Sequence, residues 1–157
     1  MMKYQSTKTF GNDRGLSCAF RQPNATHSHC SLIHGYSLGF KFVFEADTLD
    51  DKNWVYDFGN TKWMKAFLEE NFDHTIAVDK EDPAVADFAR LETVGIAKIV
   101  LMDGVGCEKF AEHVFRFVAK KVAIESMYRV RLVSVEAFEH GANSAICIGD
   151  PDEYRQA

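Results

Sequence analysis

A chain of 157 residues is a natural size for one domain with its own core. Its 46% hydrophobic and 26% charged content excludes a disordered chain. The net charge of -5 gives no general nucleic-acid footprint but leaves room for a small anionic ligand, since local fields need not follow the total.

The opening MMKYQSTKTF lacks the apolar core of a secretory signal. No stretch approaches the roughly 18 apolar residues of a membrane helix. A cytoplasmic location is therefore expected, with no membrane partner. The four cysteines (18, 30, 107 and 147) contain no C-x-x-C pair, and reduced thiols are the expectation.

In chain order, residues 3–21 read as two extended pieces around Gly11-Asn12-Asp13-Arg14-Gly15, a hairpin or a strongly bulged strand. A polar loop over 22–33 leads into a strand over 34–46. Its even positions, His34, Tyr36, Leu38, Phe40, Phe42 and Phe44, share a face. Polar, metal-capable side chains thus stand at the open end of an apolar wall.

A charged turn over 47–53 precedes a short strand end at 54–58. Helical spacing of Trp63, Met64, Phe67 and Leu68 predicts a helix from Thr61 to about Phe72. Pro83 opens a second amphipathic piece with Val85, Phe88, Ala89 and Leu91, and 96–102 fits a strand or a helix end. The clearest helix runs from Cys107 to about Ile124, with Phe110, Val114, Phe117, Val118 and Val122 on one stripe. Residues 127–139 and 142–148 read as paired strands, and the tail from Asp150 as loose. Strands, helices, then strands predict one α+β domain over 1–157: a four-stranded antiparallel sheet with two main helices on one face, in the order ββααββ.

Several residues could carry chemistry. His34 and Tyr36 lie two apart on a strand and can face one ion; His27 and His29 repeat that spacing in the loop before. Cys30 is a loop thiol near imidazoles, able to act as base or nucleophile if its pKa is lowered. Asp73-His74 sets a carboxylate beside an imidazole, the pairing that orients a histidine for proton transfer. Glu139, closing an apolar strand, could accept two parallel N–H bonds from a planar heterocycle. Each has a plainer reading as a solvated loop or strand-end residue.

Together they form an ordered set: Cys30-x-x-x-His34-Gly35, Trp54-x-x-Asp57-Phe58, Asp73-His74, Gly106-Cys107-Glu108 and Glu139. This set resembles the 6-pyruvoyl-tetrahydropterin synthase superfamily. Within it, the cysteine-to-histidine spacing is similar to that of the 6-carboxy-tetrahydropterin synthases of queuosine biosynthesis, with an insertion around residues 81–103.

The resemblance implies a tunnelling fold (T-fold) whose subunits assemble into a homo-hexamer, a dimer of trimers, with sites between copies. It implies a pterin substrate, 7,8-dihydroneopterin triphosphate, and a lyase reaction without redox cofactor. Triphosphate would leave and the side chain rearrange to 6-carboxy- or 6-pyruvoyl-tetrahydropterin. Cys30 would be the base, Asp73 with His74 a second proton relay, and Glu139 and Glu108 pterin-pocket carboxylates. Cys107 stands where the family has a small hydroxyl residue.

Family members hold zinc with three histidines, one on the first strand and two in His-Gly-His. Here those positions read Phe20 and His34-Gly35-Tyr36, so one ligand of three remains. The leading expectation is a zinc site rebuilt from His27, His29 and His34. The others are a metal-free pocket and ligation by Tyr36. The corresponding alternative functions are an altered or metal-free homologue that binds a pterin or purine-like ligand, a dihydroneopterin-aldolase-like activity, and a binding or structural protein without chemistry.

Overall fold

The alternating apolar run in the middle of the sequence forms the spine of the molecule. In the computed structural model, which describes residues 1–151, 153 and 154, it is strand β3 (His34–Ala46). Leu38, Phe40, Phe42 and Phe44 on its even face are fully buried. Around it lie β1 (Tyr4–Phe10), β2 (Leu16–Phe20), β4 (Thr75–Asp79), β5 (Ile99–Met102), β6 (Val130–His140) and β7 (Asn143–Ile148). The helices are α1 (Lys62–Phe72), α2 (Val85–Thr93) and α3 (Cys107–Glu125).

β1 and β2 both run antiparallel to β3 along the same edge, pairing Phe10 with Phe40 and Leu16 with Leu38. The turn-rich segment is therefore a bulged strand and not a hairpin: residues 11–15 stand opposite Gly39 alone. Gly39 has no room for a side chain, since a Cβ there would lie 2.1 Å from the Phe138 ring. Asn12 fastens the bulge to the sheet. Its Nδ2 donates to the carbonyls of Ser37 at 2.6 Å and Glu139 at 3.2 Å, while Ser37 Oγ donates to the Asn12 carbonyl at 2.5 Å.

Three features differ from the expected ββααββ plan. The sheet is mixed and seven-stranded, in the order β5-β4-β2-β3-β6-β7 with β1 beside β3. β4 was not expected, and it pairs parallel with β2 and with β5, α2 forming the crossover between β4 and β5. Of the two readings left open for 96–102, the strand is the one formed, and β5 extends the sheet beyond β4. Residues 54–57 are irregular with a bend and Phe58–Asn60 is a 3-10 turn, not a strand end, because the Asp50 carboxylate accepts the Trp54 N–H and the Asp57 carboxylate that of Gly59.

α3 buries Phe110, Ala111, Val114, Phe115, Val118, Ala119 and Val122 against the sheet. Phe117 lies off that stripe and instead stacks on Phe67 of α1, ring centroids 3.9 Å apart. The tail turns back beyond Asp150: Glu153 N–H donates to the Asp150 carbonyl at 3.3 Å, and Tyr154 packs on the core. The remainder of the expected loose tail lies outside the described residues.

One carboxylate on β3 is buried. Burial alone would raise the Glu45 pKa, yet hydrogen bonds from Gln5, Arg131 and Lys3 outweigh it and hold it at about 2, below the ordinary 4.5. A depressed folded-state pKa adds stability above pH 4.5 that is lost as pH falls toward 2. Urea unfolding across that window should show the wild type losing about 3 kcal/mol more than Glu45→Gln. Parallel stability curves for the two proteins would contradict this account.

Candidate active site

Four elements end at one place. β2 delivers Phe20, which pairs in register with His34 at the start of β3; Cys18 pairs with Tyr36. Cross-strand partners share a face, so Phe20, His34 and Tyr36 form one aromatic group. The ring centroids lie 4.8 Å apart for Phe20–His34, 5.7 Å for His34–Tyr36 and 6.2 Å for Phe20–Tyr36. β6 ends beside them with Glu139 and His140, whose ring is 6.0 Å from Tyr36. The start of α3 contributes Cys107 and an exposed Glu108.

Electrostatics tie the group together. Burial, then the Glu139 carboxylate and the Cys30 and Cys107 thiols, push the Tyr36 hydroxyl above its usual pKa. Cys107 is pushed up to about 12, by burial first and then by Glu139 and Glu108. It is therefore a protonated thiol near neutral pH and a poor base. Cys30 is the exposed cysteine among the four.

The loop carrying Cys30 is pinned by its backbone. Gln22 N–H donates to the Cys30 carbonyl at 2.7 Å, and Cys30 N–H donates to Ser28 Oγ at 3.1 Å. Gln22 Nε2 also donates to the Val105 carbonyl at 2.6 Å, drawing the loop toward the start of α3. The turn there needs Gly106, which has a φ of +100°.

Arg21 is a second pin. Its Nε and Nη2 bond both oxygens of Asp82 at 2.8 and 2.7 Å, and its Nη1 bonds the Ser31 carbonyl at 3.2 Å. Asp82 is buried, held below the usual carboxylate range by Arg21, and also accepts the Ala84 N–H at 2.8 Å just ahead of α2. Asp82 and Gln22 were not singled out from sequence. An arginine directly after a strand and an aspartate before proline gave no sign of meeting.

The expected residues divide into groups. Cys30, Tyr36, Glu139 and Glu108 gather with His34 at the site. Asp73 and His74 do not reach it within the chain. Their Nδ1···Oδ1 contact is 2.8 Å, Asp73 also accepts the Ser17 N–H at 3.4 Å, and the His74 side chain is 87% exposed. Ser17 is three residues from Phe20 along β2, about 10 Å at strand rise. His27 and His29 are exposed on the loop. Among the described residues no three His, Cys, Asp or Glu side chains gather as a metal site. The rebuilt zinc site of His27, His29 and His34 is thus not formed in the chain, because successive turns over 22–31 hold the loop histidines outward. Phe20, 2% exposed and carbon-only, occupies the corner a ligand would need. The donor set does not fit a three-histidine zinc ion.

Among the described residues no helix is long and apolar enough to cross a membrane. The chain is similar to solved structures that share its fold: an uncharacterised protein of Wolinella succinogenes (TM-score 0.75, 20% identity, 96% of this chain and 100% of that one). A 6-pyruvoyltetrahydropterin synthase of Plasmodium vivax follows at TM-score 0.68 and 11% identity, covering 94% and 98%. In sequence it is similar to the 6-carboxy-5,6,7,8-tetrahydropterin synthase of Aquifex aeolicus, 26% identical over 92% of this chain and 97% of that one. The Bacillus subtilis protein of the same name is 28% identical over 59% of this chain, the match spanning 62% of that relative's length. Residues 11–150 match the family described as 6-pyruvoyl tetrahydropterin synthase, and with an α+β tunnelling fold built on a mixed sheet the chain belongs to that family.

Proposed function

We propose that the protein is a pterin-processing lyase acting on 7,8-dihydroneopterin triphosphate, releasing triphosphate and giving 6-pyruvoyl-tetrahydropterin or, with water added and the outer two side-chain carbons leaving as acetaldehyde, 6-carboxy-tetrahydropterin. The observation that carries this reading is the meeting of Cys30, Tyr36, Glu108 and Glu139 at one end of the sheet, in a chain of this family. Glu139, half-buried at the end of β6, is suited to accept two N–H bonds from an amino-pyrimidine edge. Cys30 is the thiol free to take a proton from the side chain. Elimination then expels triphosphate, a good leaving group, without a redox step.

The second proton relay needs another copy. In this proposal the chain assembles as a homo-hexamer, and the Asp73–His74 pair of a neighbouring copy completes the site. Its exposure and its distance from Phe20 along β2 support that division of labour. The triphosphate cation is also sought elsewhere, since Arg21 is engaged by Asp82 and Arg131 by Glu45.

Incubation with 7,8-dihydroneopterin triphosphate should release triphosphate, and Glu139→Ala should weaken pterin binding roughly 10–100-fold, as loss of a charge-assisted pair does. Pterin fluorescence quenching measures it. Unchanged affinity in Glu139→Ala would remove the anchor role. The loss of two ligand positions favours one second reading, a homologue that binds the pterin without turnover; saturable quenching with no triphosphate release would select it.

A further inference from the structure

The loop that carries Cys30 is not held by packing, for no residue from 22 to 33 is buried. α3, by contrast, is fixed against the sheet by Phe110, Val114, Val118 and Val122, all fully buried. How far Cys30 stands from the start of α3 therefore depends on hydrogen bonds. Among the described residues one such bond joins residues 22–33 to residues 104–108: Gln22 Nε2 donates to the Val105 carbonyl at 2.6 Å.

Both ends of Gln22 are committed. Its backbone N–H donates to the Cys30 carbonyl at 2.7 Å, while its amide reaches the turn before α3. The Val105 carbonyl can only accept, so Nε2 and not Oε1 faces it. The amide rests over the bare Cα of Gly106. A Cβ there would lie 2.6 Å from Gln22 Nε2 and 3.8 Å from Glu108 Oε2. One uncharged side chain thus runs from the backbone of Cys30 to the neighbourhood of Glu108.

We propose that Gln22 is a positioning residue whose length sets the distance between the Cys30 thiol and a pterin ring held by α3 and β6. It touches neither the ring nor the proton and acts through the place of Cys30. This deepens the lyase reading, on which it rests.

The test compares Gln22→Met, which keeps the length and loses the donor, with Gln22→Asn, which keeps the amide on a shorter stem. A base displaced by about 1 Å costs up to roughly 100-fold, so single-turnover triphosphate release should fall roughly 10–100-fold in both. Affinity for 7,8-dihydroneopterin, read by quenching, should stay within about threefold of native, as loss of position without loss of binding requires. The pH profile of the remaining rate should keep its native midpoint, because no charge is removed. Tm should fall by no more than roughly 4 °C, the scale of one neutral hydrogen bond in a domain of this size. Hydrogen exchange across 22–33 should quicken roughly tenfold in Gln22→Met. A near-native rate in Gln22→Met, or rate and affinity falling together, would overturn the proposal. A native chain that releases no triphosphate would remove the lyase reading first; unchanged exchange across 22–33 in Gln22→Met would then remove the tie as well.

Discussion

Asp82→Ala should lower the stability of the folded chain by about 3 kcal/mol, the lower end for breaking a buried ion pair because Arg21 keeps partial access to water. For a domain of this size the shift in Tm is roughly 6–12 °C. The Asp82 side chain is 1% exposed, accepts three hydrogen bonds and joins two parts of the chain that share no other ion pair among the described residues. Removing it strands a guanidinium, opens the first turn of α2 and loosens the Arg21 hold on the Ser31 carbonyl. Calorimetry reads the stability, and limited proteolysis within residues 22–33 reads the loop. A loss below about 1 kcal/mol would mean that the pair behaves like a surface contact.

Cys30→Ala should reduce triphosphate release at least roughly 100-fold, the usual scale for losing a positioned base, with pterin affinity nearly unchanged. Cys107→Ala, assayed below its unfolding temperature, should keep most of the rate. The contrast follows from placement. Cys30 is exposed on a pinned loop, whereas Cys107 is buried, and burial first and then two carboxylates raise its pKa to about 12. Single-turnover kinetics on both variants, with quenching titrations beside them, separate chemistry from binding. If Cys107→Ala abolished turnover and Cys30→Ala did not, the assignment of the base would be reversed.

How much of this was legible in the sequence depends on the range of the forces involved. β3 and α3 could be read directly, because their burial follows a local period that one face must satisfy. Thr75–Asp79 was passed over: a five-residue stretch with three apolar side chains becomes a strand only when β2 and β5 flank it, and that pairing is non-local. The expectation that Cys30, Glu108 and Glu139 share a site rests on family resemblance, not on spacing. The outward setting of His27 and His29 could not be, since it depends on turn hydrogen bonds within a loop of no periodicity. The Arg21–Asp82 pair, 61 positions apart, left no local trace at all.

The bulge at residues 11–15 carries a constraint of parity. Between Phe10 and Leu16 the chain advances an even number of positions, as it does between Leu38 and Phe40 opposite, so even-numbered side chains stay inward on both sides of the interruption. A one-residue slip of β2 against β3 would turn Cys18 and Phe20 toward solvent and bring Ser17 and Ala19 under the helices. The looped-out residues must therefore deliver Leu16 opposite Leu38 whatever their own number, or the floor on which His34 and Tyr36 stand is dismantled.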